Sequence, residues 1–176
     1  MTNNSAFIDE DGETMKEIQL TQDKMAIVDD EDFEWLSKYK WHYQNKGYAE
    51  RNRSIHLGKH KTILMHREIL QVPDGMESDH INGNRLDNRR ANLRICTRGE
   101  NGKNLRKHVD NTSGFKGVSW HKRAKKWIAQ ITINYKYVYL GLFDDKQVAA
   151  CAYDKATCKL HREFACTNFQ SVEEND

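Results

Sequence analysis

Hydrophobic positions along the chain recur at two spacings, and the switching between them predicts a succession of short strands and helices. The alternation over 18–20 and the apolar run over 25–28 read as strands. The acidic stretch 29–32 then offers a helix start carrying Phe33, Trp35 and Leu36. Segments 41–44 and 48–51 flank Asn45-Lys46-Gly47, which is a hairpin turn signal. A strand over 61–64 feeds a helical turn over 65–70, and Pro73-Asp74-Gly75 closes this section.

From Met76 the punctuation changes. A strand ending at Asp79-His80 leads into a polar loop, 81–88, rich in residues that tolerate turns, and a second strand follows over 91–95. Thr97-Arg98-Gly99-Glu100 matches a capping box, so a helix begins there with Asn101 in its first turn or just after it. Residues 103–113 are basic and Asn-rich with no apolar period, which places a domain boundary in this connector. Beyond it, 115–120, 127–133 and 135–140 read as three strands, the second with Trp127, Ala129, Ile131 and Ile133 on one face and Ile128, Gln130 and Thr132 on the other. A second capping box, Asp144 to Gln147, opens a helix whose apolar stripe is Val148, Ala149, Ala152, Tyr153, Ala156 and Leu160. A three-stranded sheet with one helix across its back follows. The first dozen residues and 171–176 read as disordered.

Composition narrows the class. With 176 residues and 38% hydrophobic content the chain can build two small cores, and its 31% charged residues exceed the roughly 25% of ordinary domains. Net charge is only +2, but the charges are segregated: residues 1–35 hold 2 basic and 11 acidic side chains, and residues 36–128 hold 21 basic and 8 acidic. A basic block interleaved with Trp41, Tyr43, Tyr48, Trp120 and Trp127 suits phosphate neutralisation with stacking, and equally a solvated surface over buried aromatics. No apolar run approaches a membrane span, and the acidic N-terminus is unlike a secretory leader, so a cytosolic protein is expected. Cys96, Cys151, Cys158 and Cys166 form no C-x-x-C pair, which argues against a zinc finger and for reduced, half-buried packing residues.

One segment holds the parts that phosphodiester hydrolysis needs, namely a base for water, a cation for the leaving oxygen and rigid placement of both. Asp79 is a hard carboxylate, and the side-chain oxygen of Asn101 could reach the same ion, leaving other positions for water and phosphate as Mg²⁺ prefers. His80 suits the general base, since an imidazole titrates near ~6.5. Asn92, on the returning strand, suits a residue that holds the His80 loop by hydrogen bonds. Adjacent strand residues point to opposite sides, so Asp79 and His80 share a site only if the backbone bends, which the following Gly-containing loop allows. His66 reads as a satisfied structural histidine, with a place near the site as the alternative, and the remaining histidines show no ligand spacing.

The run Asp79-His80-Ile81-Asn82-Gly83-Asn84, through Leu86-Asp87-Asn88-Arg89-Arg90-Ala91-Asn92-Leu93-Arg94 to Glu100-Asn101, resembles the HNH homing endonucleases of phages and mobile introns. The resemblance implies His80 as general base, Asp79 and Asn101 as ligands of one Mg²⁺ or Mn²⁺, and Asn92 as the residue positioning the base. The motif is named for a final His, where this chain has Asn101, as a subgroup does. Farther on, Ser113 to Val118, Trp127 to Ile131, Leu140 to Asp144 and Ala149 to Asp154 resemble the DNA-binding domain of plant ethylene-response factors, which also occurs fused to phage HNH nucleases. That resemblance implies a sheet entering the major groove and assigns DNA contact to Lys116, Arg123, Gln130, Thr132, Tyr137 and Tyr139. Ser119, Thr132 and Tyr139 stand where the plant domains have Arg or Trp, so base preference does not carry over.

Together these imply an α+β chain. A ββα-metal (His-Me finger) core with a β-rich extension occupies 16–110, and a three-stranded antiparallel sheet on one helix occupies 111–170, between tails 1–15 and 171–176. The expected function is metal-dependent cleavage of double-stranded DNA at specific sites. A non-cleaving DNA-binding regulator, or a less discriminating nuclease acting on RNA or any DNA, are the alternatives. A single cutting motif points to a monomer that nicks, with a dimer as the alternative.

Overall fold

The computed structural model describes residues 7–8, 14–104, 110–133 and 136–169. It divides into two compact units, 1–98 and 99–176. The predicted disordered tail 171–176 lies outside the described residues, as does most of the first dozen, but Phe7–Ile8 within that dozen is a strand.

The first unit is a mixture of small antiparallel sheets and short helices. β1 (Phe7–Ile8), β2 (Thr14–Gln19) and β3 (Met25–Asp29) form one sheet in chain order. Alternation in β3 buries Ala26 and Val28. α1 (Asp30–Leu36) follows, with Asp30, Glu31 and Asp32 in its first turn, where the helix dipole favours acids. β4 (His42–Tyr43), β5 (Ala49–Ser54) and β6 (His60–Leu64) make the second sheet, and the turn at Asn45-Lys46-Gly47 is as read, with Gly47 at φ 91°. α2 (Met65–Leu70) matches the expected turn. Leu20, Val28, Leu36, Trp41, Met65 and Ile69 are prominent in the core shared by these elements. Trp41 donates its indole N–H to Leu36 O at 2.9 Å, so the largest core side chain carries no unpaired donor.

β7 (Glu77–His80) and β8 (Leu93–Cys96) form the third sheet, a two-stranded ribbon. Ala91 and Asn92, expected in the returning strand, belong instead to a 3-10 turn, Arg90–Asn92, tied to the rest of the unit by polar contacts. Arg90 donates to both carboxylate oxygens of buried Asp32 at 2.8 Å, and its backbone N–H donates to Asp29 at 2.7 Å. α3 (Arg98–Lys103) starts one residue after Thr97 and straddles the boundary between the units.

In the second unit β9 (Val118–His121), β10 (Lys126–Ile133) and β11 (Lys136–Phe143) form an antiparallel sheet with β10 central, and α4 (Lys146–His161) packs on it. Val118, Ala129, Ala149 and Ala150 centre its core. Tyr153 lies so close to Gly117, at φ 74°, that a Cβ there would sit 1.9 Å from its ring. Two sequence expectations need correction here. The N-cap of α4 is Asp145, not Asp144: its carboxylate accepts from the backbone N–H groups of Gln147 and Val148. The buried stripe is Ala149, Ala150, Tyr153, Thr157 and His161, while Val148 and Leu160 are exposed. Polar Thr157 and His161 are buried with one hydrogen bond between them, 3.0 Å from Thr157 Oγ1 to His161 Nδ1. The four cysteines are free, as expected, but Cys151 and Cys158 are exposed and only Cys96 is buried.

Candidate nuclease site and nucleic-acid interface

The β7–β8 ribbon puts Asp79 directly opposite Arg94 and His80 opposite Leu93. Cross-strand partners touch, so Asp79 and Arg94 form an ion pair, with Asp79 Oδ2 2.7 Å from Arg94 Nη2 and 3.1 Å from Nε. Asp79 and His80 are both buried, although they are strand neighbours. The turn after His80 follows at once, with Gly83 at φ 71° donating its N–H to His80 O.

The loop 81–88 is held from two directions. Asn92 accepts from Asn82 N at 2.9 Å and donates to Asp87 O at 2.8 Å, so one buried amide spans the loop. Strand β3 grips the far end: Ile27 N donates to Leu86 O and Asn88 N donates to Ile27 O, both at 2.8 Å. Asp87 receives Arg89 and Asn82; burial alone would raise its pKa, but these donors hold it below the usual carboxylate range.

Around His80 lie three neighbours to which the sequence reading gave no role in the site, although it had offered a place near the site as the alternative for His66. Asn88 is fully buried, with its side-chain oxygen 3.3 Å from His80 Nε2. His66 is 4% exposed, its ring edge-on to that of His80 at 4.8 Å. The Tyr48 ring lies 5.9 Å from His80 and 5.0 Å from His66, with the Arg85 guanidinium above it. Burial lowers the pKa of His80, opposed by the Asn88 hydrogen bond and by Asp79 and Asp87. Burial pushes His66 down to about 3, helped by the charges of His80 and Arg67. Among the described residues His66 Nδ1 is buried without a hydrogen-bond partner, so the satisfied structural histidine expected at this position is not what the fold contains. Arg94 could have been found from the sequence by pairing the two strands; His66 and Tyr48 could not, because they arrive from other elements.

On the second unit's sheet, Gln130 pairs with Tyr139 and Thr132 with Tyr137, so these four share one face. That face is opposite buried Ala129 and Ile131, and Tyr137 and Tyr139 are 75% and 61% exposed. Arg123 is exposed in the β9–β10 turn beside Lys122 and Lys125. Lys116 does not join them: its ammonium donates to Lys103 O at 2.9 Å, and burial holds it below the usual lysine range.

The HNH endonuclease family model matches residues 71–103, and the AP2 domain model matches residues 113–163. Protein 3.8 of Escherichia phage T7 is 36% identical over 94 residues, covering 53% of this chain and 77% of that protein. The chain belongs to the HNH endonuclease family and carries a C-terminal AP2 domain. An uncharacterized HNH endonuclease of Acanthamoeba polyphaga mimivirus is 28% identical over 145 residues, 76% of this chain and 68% of the relative. APETALA2-like protein 2 of Oryza sativa subsp. indica is 41% identical over 66 residues, and the chain spans only 15% of that plant protein.

The HNH match spans the positions of Asp79, His80, Asn88, Asn92 and Asn101, and the AP2 match spans the exposed tyrosine face. Asn101 is half-buried on α3. No described helix is long and apolar enough to cross a membrane.

Proposed function

We propose that the chain is a metal-dependent DNA endonuclease of the homing type, in which His80 activates the water that attacks a phosphodiester and the AP2 sheet selects where on double-stranded DNA it acts. The observation that carries this reading is the buried His80 at the end of the β7–β8 ribbon, inside the HNH match, beside a carboxylate and held by an amide. A depressed pKa keeps the imidazole neutral at physiological pH, the form able to take a proton from water. Asn92 fixes the loop that carries His80 without touching its ring.

The donor chemistry fits a hard divalent ion. Among the described residues there is no group of three or more His, Cys, Asp or Glu side chains that could cage a metal, which is unlike a structural zinc site. Mg²⁺ keeps several waters and needs one or two protein oxygens, and Asp79 supplies a carboxylate already shaped by Arg94. Asp79 would hold the ion, and the motif gives Asn101 the second ligand role. When bound, Mg²⁺ or Mn²⁺ supplies positive charge for the leaving oxygen.

Two surfaces suit DNA. In the AP2 domain, Gln130, Thr132, Tyr137 and Tyr139 offer uncharged polar and aromatic groups for base edges, and Arg123 offers a charge for phosphate. In the first unit, the β5–β6 hairpin sets Arg53 directly across from Lys61, with Lys59, His56 and His60 exposed beside them. Like charges facing each other destabilise a sheet, so the pair suits a hairpin that meets a polyanion. His80→Ala should lower EDTA-sensitive cleavage of double-stranded DNA by roughly 10²–10⁴-fold, measured by mapping DNA ends after incubation with Mg²⁺. DNA that is retarded on a gel but stays intact with both Mg²⁺ and Mn²⁺ would replace this reading with a non-cleaving regulator.

A further inference from the structure

We propose that Asn88 is the positioning residue of His80: its side-chain oxygen holds the imidazole proton on Nε2 and thereby makes Nδ1 the nitrogen that takes the proton from the attacking water. The tautomer assignment stands on geometry alone, and its catalytic consequence rests on the nuclease reading above.

A side-chain amide can be turned either way, so its neighbours must decide which atom faces the ring. Asn88 Nδ2 lies 3.2 Å from Leu86 O, a carbonyl that can only accept. The opposite orientation would set two acceptors against each other there. Oδ1 therefore faces His80 Nε2, at 3.3 Å, and a neutral imidazole can answer an acceptor only with an N–H. Proton on Nε2 leaves the basic lone pair on Nδ1.

The arrangement has little freedom to relax. Asn88 is fully buried, and both backbone groups that frame its amide are bonded to one residue of β3: Leu86 O accepts from Ile27 N, and Asn88 N donates to Ile27 O. Leu86 O thus serves the strand and the Asn88 amide together. The N-terminal sheet, to which the sequence alone assigned no role, thereby reaches the imidazole through two peptide groups. The charged and titratable groups around His80 include Asp79, Asp87, Arg85 and His66, with the Tyr48 ring beyond; Asn88 is a neutral acceptor among them. Asn92, which the family resemblance names as the positioning amide, binds the loop's backbone, whereas Asn88 binds the ring itself.

Imidazole ¹⁵N shifts separate the two neutral tautomers, so the full-length protein labelled at histidine is measured at about pH 8, above the ordinary imidazole range. The His80 signals are assigned by their loss in His80→Gln. The expected result is an Nε2–H tautomer in the wild type, shifted toward Nδ1–H in Asn88→Leu. On double-stranded DNA with Mg²⁺, Asn88→Leu should lose roughly 100-fold or more in kcat with little change in KM, the lower end of what a general base contributes. A wild-type His80 in the Nδ1–H form overturns the proposal, whether or not the variants fold. So does a folded Asn88→Leu with an unchanged tautomer. A wild type that holds the Nε2–H form yet leaves DNA intact removes the nuclease reading while the assignment stands.

Discussion

His66 brings a cost that the fold accepts beside its candidate base. Its Nδ1 is buried without a partner among the described residues, and burial pushes its pKa to about 3, against about 6.5 in an unfolded chain. The unfolded chain therefore binds a proton between those values that the native chain does not, and stability falls as pH drops below about 6.5. The slope is about 1.4 kcal/mol per pH unit, so going from pH 6.5 to pH 5 should cost about 2 kcal/mol through this residue. Urea denaturation at pH 7 and pH 5 checks it: in His66→Phe, which keeps a ring against His80, the difference between the two pH values should shrink by about 2 kcal/mol. An unchanged difference would mean that His66 gains a proton partner in solution. At this scale the sequence identified Asp79, His80 and Asn92 as the polar residues of the ribbon and loop, because their spacing is local. Asn88 escaped it as an ordinary loop amide, and His66 was read as a structural histidine with a place near the site only as the alternative, since neither residue's pattern says which ring it will meet.

Helix α4 tests how finely an element is specified. Asp144 and Asp145 are adjacent acids, and only the second has its carboxylate on the first-turn N–H groups. Asp145→Ala should cost about 1 kcal/mol of stability in the AP2 domain. Asp144, highly exposed and paired with Lys126, should be near neutral when replaced by Ala. Thermal unfolding of the two single variants checks the pair, and equal losses would contradict the assigned cap. The helix itself was readable from periodicity, and its limits nearly so. Its buried face was not, because an apolar stripe is a proxy for burial and here polar Thr157 and His161 enter the core with one hydrogen bond between them. Strands fared likewise. β10 alternates in sequence and in the fold, but Ala91 left the returning strand for a turn that Arg90 pins to Asp32.

For the molecule as a DNA binder, charge and shape should separate in the salt dependence of affinity. Replacing Arg53 and Lys61 together by Gln should flatten the slope of log K against log salt by about 2, because each phosphate contact contributes about 0.9. Tyr137→Ala with Tyr139→Ala should weaken binding with the slope unchanged, since no charge is removed. Titrations at several salt concentrations distinguish the two, and a steeper loss of slope from the tyrosines would reverse the roles given to these surfaces. The sequence by itself determined the order of the two modules, most of the short strands and helices within them, and the spacing of an HNH motif, because all of these depend on periods and on neighbours within a few residues. Only the tertiary structure decided that Arg94 sits on Asp79, that Lys116 turns away from the sheet's open face, and that Ile27 anchors the amide against His80. Those contacts join residues whose separation along the chain carries no periodic signal, and only close packing and the pairing of buried polar groups bring them together.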